Sequence, residues 1–168
     1  ADSLGYFSVK ETGWPKLDPY AGFASSRAGD KPVVLYHSPF SPSWSAAGVL
    51  FEQVRRMSAT GRWRWIVCLH PKTNSDTVAR YRSLVGENLE FREGENILDV
   101  FPRADVMVSD TSSALSEFLL WQKPVGTFKN RRTGPELIDI DDPAVLESAI
   151  EGALQRPAGL MAAIREYT

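Results

Sequence analysis

Cysteine is nearly absent from the chain, with one residue, Cys68, among 168. A single thiol closes no internal disulfide, and its place inside Trp65-Ile66-Val67-Cys68-Leu69 marks it as a small buried hydrophobe suited to a reducing compartment. Histidine is almost as scarce, at two residues. No H-x-x-x-H or C-x-x-C spacing occurs, which speaks against a structural metal. Neither sign of charge is in excess. With 19 Lys+Arg against 21 Asp+Glu the formal net charge is -2, so no overall field recruits a polyanion and nucleic acid is not an expected partner. No apolar run is long enough to span a bilayer, and the N-terminus has no basic-then-apolar signal pattern, so the domain itself is expected to be soluble. The fingerprints G-x-G-x-x-G and G-x-x-x-x-G-K-[ST] are missing, as is the G-x-S-x-G nucleophile elbow. Dinucleotide-fingerprint, P-loop and serine-hydrolase readings fall with them. The chain opens on Ala1-Asp2 and not on Met, as expected of a piece of something longer.

What is present is a globular composition, with 43% hydrophobic and 24% charged residues, on a chain long enough to bury its own core. Short apolar runs at 33–36, 65–69, 88–92, 105–109 and 124–128 read as strands. Segments 46–58, 75–85, 112–121, 143–154 and 160–167 carry helical periodicity. Strands alternating with helices predict a Rossmann-like three-layer α/β sandwich around a parallel sheet. Residues 1–30 differ. A strand near 6–10, the turn-rich Gly13-Trp14-Pro15-Lys16-Leu17-Asp18-Pro19 and a polar stretch at 25–30 read as a lead-in and interdomain connection, ahead of a domain over 31–168.

Ligands of open parallel sheets bind beyond the carboxyl ends of the strands. Three such ends are polar: His37-Ser38 after the first strand, His70-Pro71 after the second, and Asp110-Thr111-Ser112-Ser113 after the fourth. Both histidines of the chain thus fall on one edge. The hydroxyl cluster admits two readings. One hydroxyl suffices to cap a helix, with Thr111 or Ser112 at the cap and Ser116 or Glu117 completing a capping box. Three in a row on a ligand edge favour a phosphate cradle, where unpaired backbone N–H groups and hydroxyls meet an anion.

Taken together, Thr12-Gly13-Trp14-Pro15-Lys16-Leu17-Asp18, Val33-Val34-Leu35-Tyr36-His37-Ser38-Pro39-Phe40, His70-Pro71 and Ala104-Asp105-Val106-Met107-Val108-Ser109-Asp110-Thr111-Ser112-Ser113, with Lys123-Pro124-Val125 after them, resemble the C-terminal half of the CDP-glycerol glycerophosphotransferase family. These are GT-B-fold enzymes that polymerise teichoic acids and related capsule polymers. The resemblance implies a nucleotide-binding half of a GT-B enzyme whose N-terminal half lies outside this chain. It further implies that Ser112 and Ser113, flanked by Thr111 and Asp110, contact the CDP diphosphate, and that His70 makes a polar or cationic contact to the reacting phosphate. His37 and Ser38 would line the facing loop, and Gly13 would belong to the substrate-binding lead-in turn. The expected donor is CDP-glycerol or a related CDP-polyol, with no cofactor or metal. The parent would be cytoplasmic, associated with the inner face of the cell membrane. Two other readings stay open: a nucleotide-sugar glycosyltransferase or UDP-N-acetylglucosamine 2-epimerase-like domain, and a non-catalytic binding module with a degenerate site.

Overall fold

A computed structural model describes residues 10, 13–20, 29–41 and 43–168. All but the last residue of the strand expected near 6–10, and most of the polar stretch at 25–30, therefore lie outside the described residues. Six strands form one sheet: β1 Val33–Ser38, β2 Arg64–Leu69, β3 Leu89–Arg92, β4 Val106–Ser109, β5 Val125–Phe128 and β6 Leu137–Ile140. Their order is β3-β2-β1-β4-β5-β6, and every neighbouring pair is parallel. This is the doubly wound Rossmann order, which reverses direction between β1 and β4.

The sequence of each central strand reflects its place. β1 and β4 are covered on both faces, so the alternation of half-buried strands gives way to continuous apolar runs, Val33-Val34-Leu35-Tyr36 and Val106-Met107-Val108. On one face lie α1 (Ala47–Ala59), α2 (Ser75–Arg82) and α5 (Leu146–Leu154), burying Leu50, Val54, Met57, Tyr81 and Ile150 against Val34, Tyr36, Val67 and Val108. On the other lie α3 (Ile97–Val100), α4 (Ala114–Leu119) and α6 (Ala158–Tyr167), burying Leu98, Leu115, Phe118 and Ile164 against Leu35, Ile66 and Met107. Each such aliphatic side chain withdrawn from water contributes about 1.5–3 kcal/mol. The short helical turn Pro15–Tyr20 packs on this second face through Leu17 and Tyr20.

Three features differ from the sequence reading. β1 runs two residues further than expected and takes in His37 and Ser38, which are its last residues and not the loop beyond. The helix expected over 112–121 is regular only over Ala114–Leu119, so the hydroxyl cluster precedes it. β6 and α3 have no counterpart among the expected elements. β6 is four residues long and its apolar pattern is broken by Asp139, whose carboxylate accepts from Thr127 Oγ1 at 2.6 Å and from the Asn130 N–H at 3.0 Å. α3 is a single turn capped by Asn96, whose side chain accepts from the Leu98 N–H.

α4 ends where Gln122 takes a left-handed φ of 55°, turning the chain back so that Lys123 enters the core. Its ammonium donates to the carbonyls of Phe101, Pro102 and Ala104 at 2.8, 3.0 and 2.6 Å, closing the short helical turn Phe101–Arg103 that leads into β4. Burial draws its pKa down to about 8. Lys123→Met keeps the length and removes all three donors, leaving buried carbonyls unpaired. The variant is expected to lose on the order of 3 kcal/mol in urea-unfolding experiments. A loss below about 0.5 kcal/mol would show that water replaces the ammonium at no cost.

Candidate functional site

The carboxyl ends of β1, β2 and β4 face one cavity of about 280 Å³, lined among others by Lys16, His37, His70, Ser112, Ser113 and Glu117. Its position beside the β1–β4 reversal is where open α/β sheets take ligands. The β3–α3 turn, through Gly94 and Asn96, closes the far side.

Backbone partners set the proton on each histidine. A carbonyl can only accept, so the 2.8 Å contact between His37 Nδ1 and the Cys68 carbonyl places a proton on Nδ1. Burial pushes the His37 pKa down, the Cys68 carbonyl works against that, and nearby His70 adds to the lowering. His37 is thus neutral, with a lone pair on Nε2. His70 has the opposite polarity. Its Nδ1 accepts from the Lys72 N–H at 3.0 Å, so its neutral form carries the proton on Nε2. The ring packs on Phe40, with centroids 4.6 Å apart. One cavity therefore holds an imidazole acceptor and an imidazole donor.

The hydroxyl cluster divides its labour. Ser112 Oγ accepts from the Ala114 N–H at 3.2 Å, a local cap, while Ser113 makes no capping bond with its side chain. Thr111 Oγ1 donates to Asn130 Oδ1 at 3.1 Å and accepts from the Arg131 N–H at 3.3 Å, fastening the loop after β5. No capping box forms, because Glu117 turns into the cavity and pairs with Lys16 at 2.7 Å. The sequence does not mark Lys16 or Glu117 as site residues; only the fold brings them together, across 101 positions of sequence. Gly13, with φ 71°, stands exposed just ahead of the turn that carries Lys16.

Asp110 and Ser38 lie beneath the site and do not line this cavity. Asp110 is 1% exposed, and its Oδ2 accepts from Ser38 Oγ and from the Ala46 N–H at 2.8 Å. Burial pushes its pKa up to about 6, against the lowering by those two bonds. Among the described residues no group of three or more His, Cys, Asp or Glu side chains gathers as a metal site, and no helix is long and apolar enough to cross a membrane.

No protein-family model matches the chain, and no curated protein matches it. Solved structures match by fold. The wall teichoic acid polymerase TagF soaked with CDPG superposes with a TM-score of 0.61 at 14% identity, over 85% of this chain and 37% of that one. The UDP-GlcNAc 2-epimerase from Neisseria meningitidis bound to UDP-GlcNAc gives 0.60 at 10%, over 82% and 39%. The glycosyltransferase SnogD from Streptomyces nogalater gives 0.58 at 14%, over 85% and 40%. The chain thus spans two fifths or less of the length of each, and at these identities the likeness establishes the shared Rossmann-like fold.

Asp110 makes a pH prediction. Its folded pKa lies above the ordinary carboxylate value, so the native state holds a proton that the unfolded chain releases between about pH 4 and 6. Stability should therefore fall as pH rises through that window and level off above it. The stability difference between wild type and Asp110→Asn, from urea titrations at about pH 4 and pH 7, is expected to change by on the order of 2–3 kcal/mol, at the wild type's expense at the higher pH. A pH-independent difference would mean that Asp110 is already ionised at the acid end in the native state.

Proposed function

We propose that the chain is the donor-nucleotide half of a GT-B transferase that moves glycerol phosphate, or another polyol phosphate, from a CDP-activated donor to a cell-surface polymer. One observation carries the reading: a donor histidine, an acceptor histidine, two serines and a lysine surround a single cavity at the strand-order reversal of a Rossmann-like sheet. The fold likeness to a polymerase soaked with CDPG supports it.

In such a reaction an acceptor hydroxyl forms a bond to the distal phosphorus, the bond from that phosphorus to the bridging oxygen breaks, and CMP leaves with the electron pair. The protein positions the diphosphate and stabilises developing charge. Ser112 and Ser113 would donate to the diphosphate through hydroxyl and backbone N–H. His70 Nε2–H would donate to the leaving phosphate, and Lys16 would offset its charge. Glu117 supplies an acceptor in a site otherwise rich in donors, which suits a hydroxyl-bearing group such as a ribose. The base that takes the acceptor's proton would belong to the other half. The fold likeness to an epimerase bound to UDP-GlcNAc favours a second reading, a nucleotide-sugar enzyme with the same division of roles.

Ser112→Gly with Ser113→Gly keeps helix starts nearly as well capped but removes both hydroxyls. With an intact circular dichroism spectrum, the double variant should bind CDP at least about tenfold more weakly by calorimetry. Undiminished affinity would leave the serines with a structural role alone. The 168-residue chain by itself should turn over CDP-glycerol barely or not at all, since GT-B reactions occur between two halves. Robust transfer in a radiolabel assay with this chain alone would refute the half-site reading.

A further inference from the structure

A second cavity, of about 300 Å³, lies on the other side of Ser112 and Ser113, between α4, the loop joining β5 to β6 and the end of α6. Trp44, Asn130, Arg132, Glu136 and Tyr167 contribute to its walls. Glu136 is the unusual member. It is 8% exposed, yet among the described residues its carboxylate makes no hydrogen bond and no ion pair. It can lie there because residue 134 is glycine: a Cβ at that position would fall 2.2 Å from one of its carboxylate oxygens. Its oxygens face the cavity without a donor among the described residues, so a ligand that brings donors can take the place of solvent there.

The remaining walls narrow the chemistry. Arg132 also has no ion pair among the described residues; its guanidinium sits 5.9 Å from the Tyr167 ring, and Tyr167 is fixed through its hydroxyl, 2.8 Å from Ser116 Oγ. Trp44, 46% exposed, carries Arg131 on its ring at 4.9 Å. A carboxylate asks for O–H donors, and a planar guanidinium on another wall of the same cavity asks for a phosphate or another carboxylate. An apolar group satisfies neither. A moiety with neighbouring hydroxyls, attached to a phosphate, satisfies both.

We propose that this cavity holds the transferred group of the donor, a polyhydroxylated moiety whose adjacent hydroxyls donate to Glu136 while Arg132 faces the phosphate that bears it. Ser112 and Ser113 then divide the donor, with the nucleotide on one side and the group to be moved on the other. The inference rests on the nucleotide reading of the first cavity and adds its specificity-determining residue. Glu136 selects a diol, because a carboxylate gains two charge-assisted bonds from one and at most one from a lone hydroxyl.

The test uses the 168-residue chain and calorimetry with CDP, CDP-glycerol, UDP and UDP-N-acetylglucosamine. Wild type should bind at least one activated donor about tenfold or more tighter than its bare diphosphate. Glu136→Gln, which keeps the shape, and Gly134→Ala, which keeps the carboxylate but displaces it, should both erase that preference. Affinity for the bare diphosphate should stay within about threefold, well under the tenfold step that about 1.4 kcal/mol represents. A preference that survives in either folded variant, or a wild type that binds CDP and CDP-glycerol alike and UDP and UDP-N-acetylglucosamine alike, overturns the proposal while sparing the nucleotide site. Failure of CDP and UDP to bind at all removes both.

Discussion

The carboxylate of Asp110 sits where the strand order reverses, and three pieces of chain meet on it. It lies directly after β4, accepts from Ser38 at the end of β1, and accepts from the Ala46 N–H at the start of α1. α1 has no side-chain cap from its own N-cap residue, so this bond from a distant strand supplies part of what a local serine or aspartate ordinarily would. Ser45 completes it, lying 2.8 Å from Ser38 Oγ and accepting from the Ala47 N–H. The spacing between the β1 end, which carries His37, and the β4 end, which leads to Ser112, is thereby set from below. The strand ends that line the cavity stand on this buried knot, and its cost is visible in the raised pKa of the acid that forms it.

Above the knot, the two histidines are made unlike by backbone alone. One ring faces a carbonyl and the other an N–H, so His37 offers an acceptor and His70 a donor without any charged partner. Burial holds His37 neutral, which keeps that division intact. Proton donation and acceptance thus stand side by side in a site of two imidazoles, an arrangement suited to chemistry in which a leaving group must be met by a hydrogen bond.

The sheet was legible in the sequence because parallel strands covered on both faces write themselves as short apolar runs, and the β-branched content and brevity of Val33 to Tyr36 and Val106 to Val108 set them apart from a helix. The shared edge of His37, His70 and Ser112 was legible for the same reason: in a parallel sheet all the carboxyl ends of the strands, and the loops that leave them, lie on one side. β6 was not legible, since Asp139, whose carboxylate holds the turn, breaks the apolar pattern of a strand only four residues long. The inward turn of Asp110 and Ser38 was hidden too. Whether a polar residue at a strand end faces ligand or core depends on its pleat and on the neighbouring strand, and no local pattern reports that. Lys16, Glu117 and Glu136 escaped because their roles arise from the packing of distant segments around them, which no local pattern encodes.

Net charge conceals the electrostatics that matter. A chain at -2 has no field to draw a polyanion, yet its cations are unevenly distributed. Arg55, Arg56, Arg62, Arg82, Arg92 and Arg103 are tied into ion pairs with Glu52, Glu147, Glu151, Glu93, Glu90 and Glu95 along the helices and the β3 edge, which cancels them at short range. Around the two cavities the balance tips. Lys72 lies over Phe40, Arg131 over Trp44 and Arg132 near Tyr167, each resting on an aromatic ring and, among the described residues, none on a carboxylate. An aromatic face orients a cation while leaving most of its charge uncompensated, so a phosphate approaching this edge meets positive charge already desolvated on one side. Among the described residues, three carboxylates line the two cavities: Glu95, paired with Arg92, Glu117, held by Lys16, and Glu136, which has no donor. Cations resting on rings near carboxylates give this edge both anion-attracting and donor-accepting groups, the combination that a ligand carrying phosphates and hydroxyls asks for.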